Sequence, residues 1–352
     1  MRWTLTEDQD LFRDSFRGWL ERFAPADAVR GWLDSGDPAP FEHRFVEEGW
    51  FSVGTAESHG GQGGGLLELA LASEQLGRAA APSSAWLASV LAAPVLPAEV
   101  GEACLAEGVF VALAVTAGKP VDVPGSVVAE DGVLTGSVPL VLAADRAHRF
   151  VVPARTADGI RLFLVDTATR TRRALLDRSR SVADVVFDGV PGRELAVDAE
   201  AELARIALRA AVLVAADSLG AAERMLELAV EYSKQRQQFG VPIGSFQAVK
   251  HAAASMLVTV ESARSLVYYA AAAVEQEHED YLLHAAAAKA QVCAAAVRAA
   301  DSALTMHGAI GYTWEHDLQL YYKRAKLNAG LLGTPAAWNE RLASELPLLP
   351  AA

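Results

Sequence analysis

An alanine-rich stretch over residues 198–345 constrains the fold more than any other feature of the sequence. Alanine, leucine, glutamate and lysine dominate it, and alanine is the residue most favourable to α-helix. The pattern predicts helices near 199–236, 244–277, 280–309 and 316–345. Because short connections place consecutive helices antiparallel, we expect a four-helix bundle. A bundle this apolar is also expected to pack against another subunit.

The sequence before this stretch divides into two regions of different character. Residues 1–105 show a helical pattern, in which Thr6 can cap a first helix that carries large apolar side chains at helical spacing. Residues 106–197 contain short β-branched runs bounded by turn residues, and Asp131-Gly132 is typical of a tight hairpin. The predicted fold is therefore mostly α with a central β domain. It comprises an N-terminal helical domain (1–105), a small β-barrel or sandwich (106–197) and the C-terminal bundle (198–352).

Composition narrows the class of function. The 352 residues carry a net charge of −13 and 52% are hydrophobic, which argues against nucleic acid or an anionic membrane as the main partner. Cys104 and Cys293 stand far apart in the sequence, so we expect no disulfide framework. We also expect neither a signal segment nor a membrane span, since no apolar run reaches about 18 residues. These features predict a cytoplasmic protein.

Two glycine-containing stretches could be structural or could bind a ligand. The segment ESHGGQGGG (57–65) is predicted to be a loop, and it lacks the Lys-Ser/Thr of a P-loop, so a plain connection between helices is favoured. The segment RQQFGVPIGSFQ (236–247) separates two predicted helices, the first of which Gly240 would end. Taken alone, Phe239 fits a core residue and Arg236 fits a solvated charge at a helix C-terminus.

Joined to other segments, this stretch resembles a signature of the acyl-CoA dehydrogenase family. The segment MHGAIGYTWEHDLQLYYKRAK (306–326) is similar to the family's second C-terminal signature. Near the N-terminus, EEGWFSVGTAESHGGQGGG and SEQLGRA resemble two further family segments. The order of helical domain, β domain and bundle is also that of the family, so the resemblance covers nearly the whole chain.

The resemblance implies a flavoprotein in which FAD lies between the bundles of two subunits. Arg236 would contact the FAD pyrophosphate of a neighbouring subunit, because a guanidinium offers forked donors to phosphate oxygens. Phe239 and Gln247 would contact the adenine end, while Gln238 and Phe246 would line the same groove. The other implied cofactor contacts lie in the turn after the third bundle helix and near the C-terminus: Thr305, Met306, Gly308, Ala309 and Thr334.

The catalytic carboxylate of the family is missing from this sequence. The family's reaction removes the α-proton of an acyl-CoA thioester and passes a β-hydride to FAD. Most relatives place the base before a Gly-Thr near the C-terminus, where this chain has Leu332, which cannot accept a proton. A minority place it on the first bundle helix, where this chain has Ala210. The nearest carboxylates on that helix are Glu202 and Asp217.

The central region also departs from the family pattern. The segments LAVTAGKPVDVPGSVV and GSVPLVLAADRAHRFVV lack the Glu-Pro, Ser-Asp and Trp elements that surround the flavin ring in relatives. The elements that reach into a neighbour's site are largely kept. The chain therefore resembles the non-catalytic subunits of heterotetrameric acyl-CoA dehydrogenases, which are best known from sterol side-chain breakdown.

This resemblance implies an α2β2 assembly with a homologous partner that supplies the base. It also implies an acyl-CoA substrate and an electron-transfer flavoprotein as the electron acceptor. Two alternatives stay open. One is a structural or regulatory relative that binds no flavin, and the other is a homotetrameric dehydrogenase with an unrecognised base.

A charged triplet, Glu315-His316-Asp317, is a further candidate site. A histidine–carboxylate pair can perform acid–base chemistry, but Glu315 and Asp317 also favour the start of a helix, which is the preferred interpretation. His307 is expected to pack or to hydrogen-bond locally. The eight histidines show no metal-ligand spacing in the sequence, so we expect no metal.

Overall fold

A computed structural model describes residues 4–57, 60–123 and 125–346. Helices form the first part of this described chain. Thr6 caps the first of them through a reciprocal pair of hydrogen bonds with Gln9, at 3.2 Å and 3.0 Å, which confirms the predicted start. The helices before the first strand are α1 (Glu7–Phe23), α2 (Ala26–Ser35), α3 (Ala39–Glu47), α4 (Leu66–Arg78), α5 (Ser84–Ala92) and α6 (Ala98–Glu107).

The predicted glycine-rich loop lies between α3 and α4. Its residues 60–65 form turn and irregular backbone, whereas Ser58 and His59 lie outside the described residues. Gly61 has to be glycine, because a Cβ there would lie 2.1 Å from the carbonyl oxygen of Thr55. The loop folds back on the preceding chain in this way, as a tight connection between helices would.

The central region forms one mixed sheet. Asp131 and Gly132 both have positive φ, at 49° and 77°, and they turn the chain between two paired strands, which confirms the predicted hairpin. The strand order is β6-β7-β3-β2-β4-β5-β8, and β1 pairs in parallel with β4. The strands are β1 (Val111–Leu113), β2 (Val128–Glu130), β3 (Val133–Leu142), β4 (Arg149–Thr156), β5 (Gly159–Val165), β6 (Thr169–Arg173), β7 (Val182–Pro191) and β8 (Arg193–Glu194).

The C-terminal region is helical again, as predicted. A short hairpin of β9 (Gln237–Gln238) and β10 (Val241–Pro242) separates the first and second helices of this region. A π-helical turn (Ala288–Val292) connects its third and fourth helices without a break. Among the described residues, none of the helices is both long and apolar enough to cross a membrane. The helices are α7 (Ala199–Gln235), α8 (Gln247–Glu275), α9 (Tyr281–Ala287), α10 (Cys293–His307), α11 (Leu318–Gly330) and α12 (Pro335–Glu345).

The predicted last helix, 316–345, is wrong in one respect. The structure breaks it into α11 and α12 at residues 331–334. Leu332 and Gly333 both have positive φ, at 54° and 107°, which no α-helix accommodates. Thr334 then caps α12 by accepting a hydrogen bond from the backbone N–H of Ala337 at 3.2 Å, and Pro335 follows at the first helical position. This break contains Leu332, the position at which we expected the base of relatives to stand.

Two glycines fix the crossing of α4 and α7 in the core. A Cβ on Gly220 would lie 1.8 Å from the carbonyl oxygen of Glu74, and one on Gly77 would lie 2.1 Å from that of Asp217. The two helix backbones therefore touch, and no larger side chain fits between them. The contact connects the N-terminal helices firmly to the first helix of the bundle.

Candidate functional site

The chain between α7 and α8 forms a tight hairpin. Arg236 ends α7, its carbonyl oxygen accepting a hydrogen bond from the N–H of Ile243 at 2.8 Å. Phe239 and Gly240 form the turn with positive φ, at 54° and 78°. The segment is therefore an ordered β-hairpin at the end of α7, and it does not merely terminate the helix.

The side chains of this hairpin face outward. Phe239 is 92% exposed, and its ring lies edge-on to that of Phe246, with centroids 6.1 Å apart. The side-chain amide of Gln238 donates only to the neighbouring carbonyl oxygen, at 2.9 Å. Among the described residues, no hydrogen bond or ion pair involves the guanidinium of Arg236. Gln247 begins α8, whose N-terminus has no side-chain cap.

The predicted turn after α10 lies next to this hairpin. His307 stacks on Tyr232 with ring centroids 4.7 Å apart, and Tyr232 precedes Arg236 by one helical turn. His316 packs edge-on against His307, also with centroids 4.7 Å apart, and its ring lies 6.4 Å from that of Tyr232. Burial lowers the pKa of His307, and the nearby His316 lowers it further. This aromatic cluster joins the two C-terminal signatures in space, and His307 packs locally as expected.

The predicted cofactor residues in this turn differ in exposure. Thr305 is exposed, and its hydroxyl donates to the carbonyl oxygen of Asp301 at 2.8 Å. Met306 is buried, so only its backbone could meet a ligand. Gly308 ends α10 with a φ of 64°, and Ala309 follows it on the surface. The turn therefore offers backbone and one hydroxyl, with no charged group among these four residues.

Thr334 does not belong to the same surface. Its hydroxyl caps α12, and α12 packs on α9 and the π-helical turn, whereas the 308–312 turn packs on α10 and α11. The structure thus places Arg236 and its neighbours together with residues 305–309 and leaves Thr334 elsewhere. That Thr334 contacts a cofactor stays a prediction.

Neither of the two positions at which we expected the family base, Leu332 and Ala210, has a side chain that accepts a proton. Leu332 is 2% exposed, its N–H donates to the carbonyl oxygen of Ala117 at 2.6 Å, and its own carbonyl oxygen accepts from the indole of Trp338 at 3.1 Å. Ala210 is fully buried within α7. The segment at Leu332 is therefore tied directly to the loop after β1 by its backbone.

The charged triplet after Trp314 is built into the start of α11. The imidazole Nδ1 of His316 accepts the N–H of Leu318 at 3.1 Å, and Asp317 forms an ion pair with Arg30. The imidazole of His316 therefore accepts a backbone N–H at the start of α11, a place at which we expected Glu315 and Asp317 to act. This arrangement occupies His316 and Asp317 in structural contacts.

A buried charged cluster, which sequence reasoning missed as a unit, lies at the centre of the molecule. The carboxylate of Asp217 on α7 accepts hydrogen bonds from Arg180 at 2.7 Å, from Arg324 at 2.8 Å and 2.5 Å, and from Asn328 at 2.6 Å. Lys289 in the π-helical turn donates to the carbonyl oxygen of Asn328 at 2.9 Å. No local sequence signal could have paired residues this far apart in the chain.

The pKa values in this cluster follow from burial and from the neighbouring charges. Burial alone would raise the pKa of Asp217, but Arg180 and Arg324 outweigh it and lower the pKa to about 2. Burial lowers the pKa of Arg180 to about 10, and the nearby Arg324 acts in the same direction. Burial likewise lowers the pKa of Lys289. Asp217 is thus ionised at neutral pH and holds two cations in the interior.

The turn between α8 and α9 brings together three potential metal ligands. One ligand atom each of His278, Asp280 and His284 lies within 4.8 Å of the others, on side chains that are exposed or half-exposed. The spacing of these residues matches none of the motifs considered in the sequence. The prediction that the protein binds no metal therefore remains untested.

The fold and the signatures define the class of protein. A model of the acyl-CoA dehydrogenase N-terminal domain matches residues 6–103, and a model of the C-terminal domain matches residues 204–345. Acyl-CoA dehydrogenase IpdE2 of Mycolicibacterium smegmatis is 33% identical, over 97% of this chain and 100% of its own length. The chain belongs to the acyl-CoA dehydrogenase family, whose members bind FAD.

Solved structures with the same fold include heteromeric members. The ChsE4-ChsE5 complex from Mycobacterium tuberculosis contains a chain that is 27% identical, with a TM-score of 0.87 and full coverage of both chains. A Tcur3481-Tcur3483 steroid acyl-CoA dehydrogenase variant is 26% identical, with a TM-score of 0.87 and coverage of 97% of this chain and 98% of the other.

Proposed function

We propose that this chain is the base-lacking subunit of a heteromeric, FAD-dependent acyl-CoA dehydrogenase, in which a homologous partner supplies the catalytic glutamate. The observation that carries this proposal is Leu332, which stands buried and backbone-bonded at the position of the family base. Ala210 occupies the alternative position and is equally unable to accept a proton. This chain would contribute cofactor contacts and assembly.

The exposed hairpin suits the adenosine diphosphate half of FAD. Arg236 has no partner among the described contacts, so its forked donors are available to pyrophosphate oxygens. The uncapped N-terminus of α8 adds backbone N–H groups of favourable polarity beside Gln247. The exposed ring of Phe239 offers a face on which adenine could stack. When bound, FAD supplies the group that accepts the hydride from the β-carbon of the substrate.

The flavin-ring half of FAD has fewer candidate contacts in this chain. Leu332 bonds to Ala117, and Pro120 lies 3.0 Å from where a Cβ on Gly333 would be. Arg341 on α12 forms an ion pair with Asp122 of the same loop. The loop after β1 is thus packed onto the segment that carries the base in relatives. These contacts favour a role in which the flavin ring is held by the partner.

An exposed apolar surface supports assembly with the partner. Phe239, Val241 and Phe246 of the hairpin region are exposed, as are Leu257 and Val258 farther along α8. Large apolar side chains left exposed are favourable sites for burial by a partner. We propose a homologous acyl-CoA dehydrogenase subunit as the occupant, in an α2β2 assembly in the cytoplasm. By analogy with its relatives, the substrate would be a steroid-derived acyl-CoA, with an electron-transfer flavoprotein as acceptor.

Co-expression with a base-bearing relative from a neighbouring reading frame tests this proposal. We expect the chain alone to purify poorly or without flavin, and the pair to form a stable yellow hetero-oligomer that reduces a dye with acyl-CoA. Replacing the partner's glutamate should abolish turnover and leave the flavin bound.

The alternatives predict different outcomes of the same experiment. A chain that purifies alone as a yellow homotetramer, and is bleached by acyl-CoA, would be a self-sufficient dehydrogenase. A partner subunit that binds flavin equally well with and without this chain would indicate that this chain is a structural or regulatory relative.

A further inference from the structure

A cavity of about 280 Å³ lies among the N-terminal helices, β1 and α7. Its volume is just below the range of about 300–1,000 Å³ that is typical of small-molecule sites. Loop 51–55, α5 and α6 form most of its wall, and α7 closes one side. The wall is mainly apolar and includes Phe51, Val53, Leu69, Val90, Leu105 and Val111.

One cation, Arg209, lines this apolar cavity. It projects from α7, and its Nε is buried without a hydrogen-bond partner. Within residues 4–57, 60–123 and 125–346, no hydrogen bond or ion pair involves its side chain. Burial lowers the pKa of Arg209, and Glu275 opposes that shift from a distance. The guanidinium nevertheless stays charged, since arginine does not deprotonate in proteins.

Neither neighbouring carboxylate forms an ion pair with Arg209 among the described residues. Glu275 already accepts the backbone N–H of Leu66 at the start of α4. Glu102 lines the cavity from its exposed side and forms no ion pair with Arg209 among the described residues. A half-buried cation with no direct ion-pair partner is costly, so a ligand that brings both a negative charge and an apolar body would relieve the cost.

We propose that this cavity binds a small amphipathic carboxylate, with the carboxylate on Arg209 and the hydrocarbon body against the apolar wall. The carboxylate could belong to a free acid or to the far end of a dicarboxylic acyl thioester, since both present the same group. Arginine suits this role because its fork pairs both carboxylate oxygens. The inference is independent of the proposed dehydrogenase assembly, because it needs neither flavin nor base.

Calorimetric titration with decanoate and with decanol tests the proposal on the full chain, alone or in its complex. Decanoate should bind to the wild-type chain with a dissociation constant about 10- to 100-fold lower than decanol, the scale of a charge-assisted contact. Arg209→Met should abolish that preference, whereas Arg205→Met should keep it. Arg205 is the matched control, since it lies one turn earlier on α7, is exposed and pairs with Glu202 at 2.6 Å.

Thermal unfolding gives a second readout that does not depend on ligand affinity. Arg209→Met should raise the melting temperature of the ligand-free chain, because it replaces a half-buried charge that has no direct partner with an apolar side chain of similar length. Decanoate should then raise the melting temperature of the wild type only. A lower melting temperature in Arg209→Met would overturn the proposal, as would equal binding of decanoate and decanol to the wild type.

A comparison of decanedioyl-CoA with decanoyl-CoA identifies the source of the carboxylate. A preference for decanedioyl-CoA that Arg209→Met removes would assign the cavity to the far end of an acyl thioester. Arg209-dependent binding of decanoate without that preference would assign it to a free acid. If neither probe depends on Arg209, the proposal is wrong.

Discussion

Replacing Asp217 by asparagine should destabilise the chain severely. Its carboxylate accepts four hydrogen bonds, from Arg180, twice from Arg324, and from Asn328. An asparagine keeps one acceptor oxygen and turns an NH₂ group toward donors. At least part of the four bonds is therefore lost, and both buried guanidinium groups lose their ion-pair partner, with only Asp177 left as a negative charge nearby.

Two routes give the size of this effect. Removing one partner of a buried ion pair costs about 3–5 kcal/mol. The depressed pKa of Asp217, which falls from 3.8 to about 2, corresponds to about 2 kcal/mol of stability at neutral pH, because one pKa unit is worth about 1.4 kcal/mol. The first figure is larger because it includes the desolvated arginines. We expect a loss of about 4 kcal/mol, and so a melting temperature lower by about 10 °C.

The assay is thermal unfolding of Asp217→Asn beside Asp301→Asn at neutral pH. Asp301 is the matched control, since it pairs with Lys326 at 2.8 Å on the surface, where such pairs contribute about 0–1 kcal/mol. Asp217 stabilises the fold above its unfolded pKa, and this contribution is lost as the pH falls through its folded pKa. The difference between the wild type and Asp217→Asn should thus narrow between about pH 4 and pH 2. Equal melting temperatures for the two variants would refute this account of the cluster.

Three further predictions concern the proposed site. Arg236→Ala should raise the dissociation constant of FAD in the complex by about 10- to 100-fold, and Arg236→Lys should recover part of it; an unchanged FAD titration would leave Arg236 as a solvated charge. Leu332→Glu should lower the melting temperature and add no dye-reduction activity, because the carboxylate would be buried unpaired; new activity would reveal a working flavin pocket in this chain. Gly333→Ala should cost about 1–3 kcal/mol of stability, because its φ is 107° and its Cβ would lie 2.6 Å from Trp338; Gly31→Ala, in open space on α2, should be neutral or stabilising in the same melting experiment.

The sequence allowed the architecture to be predicted because its local signals agree. Thr6 with Gln9 caps α1, Asp131-Gly132 turns between paired strands, and the alanine-rich region is helical. The break at residues 331–334 was missed although Gly333, Thr334 and Pro335 are typical of a helix end followed by a helix start. Only the positive φ of Leu332 has no propensity signal. Backbone contacts made by residues far away in the chain hold it there, notably that with Ala117. Such long-range contacts override local preference.

The candidate site could be predicted only in part for the same reason. The two C-terminal signatures follow from short motifs, but the stacking of Tyr232 on His307 that joins them follows only from the fold. The unpartnered state of Arg209 is likewise invisible in sequence, because an arginine on an apolar helix turn is usually paired or snorkels to water. Burial and partner geometry, which decide both cases, are properties of the assembled chain.

The turn at Phe239 has a consequence for the energetics of any assembly. A non-glycine residue in left-handed backbone costs about 1–2 kcal/mol, and here an almost fully exposed phenylalanine ring adds unfavourable contact with water. The edge-on contact with the ring of Phe246 offsets only part of these two terms. For the proposed partner, the hairpin is already ordered in the free chain, so the ordering cost that a flexible loop would meet on association is largely met during folding. Phe239→Asn places a residue that tolerates left-handed backbone in this turn. The free chain should therefore be more stable, and it should associate more slowly and less tightly with the proposed partner.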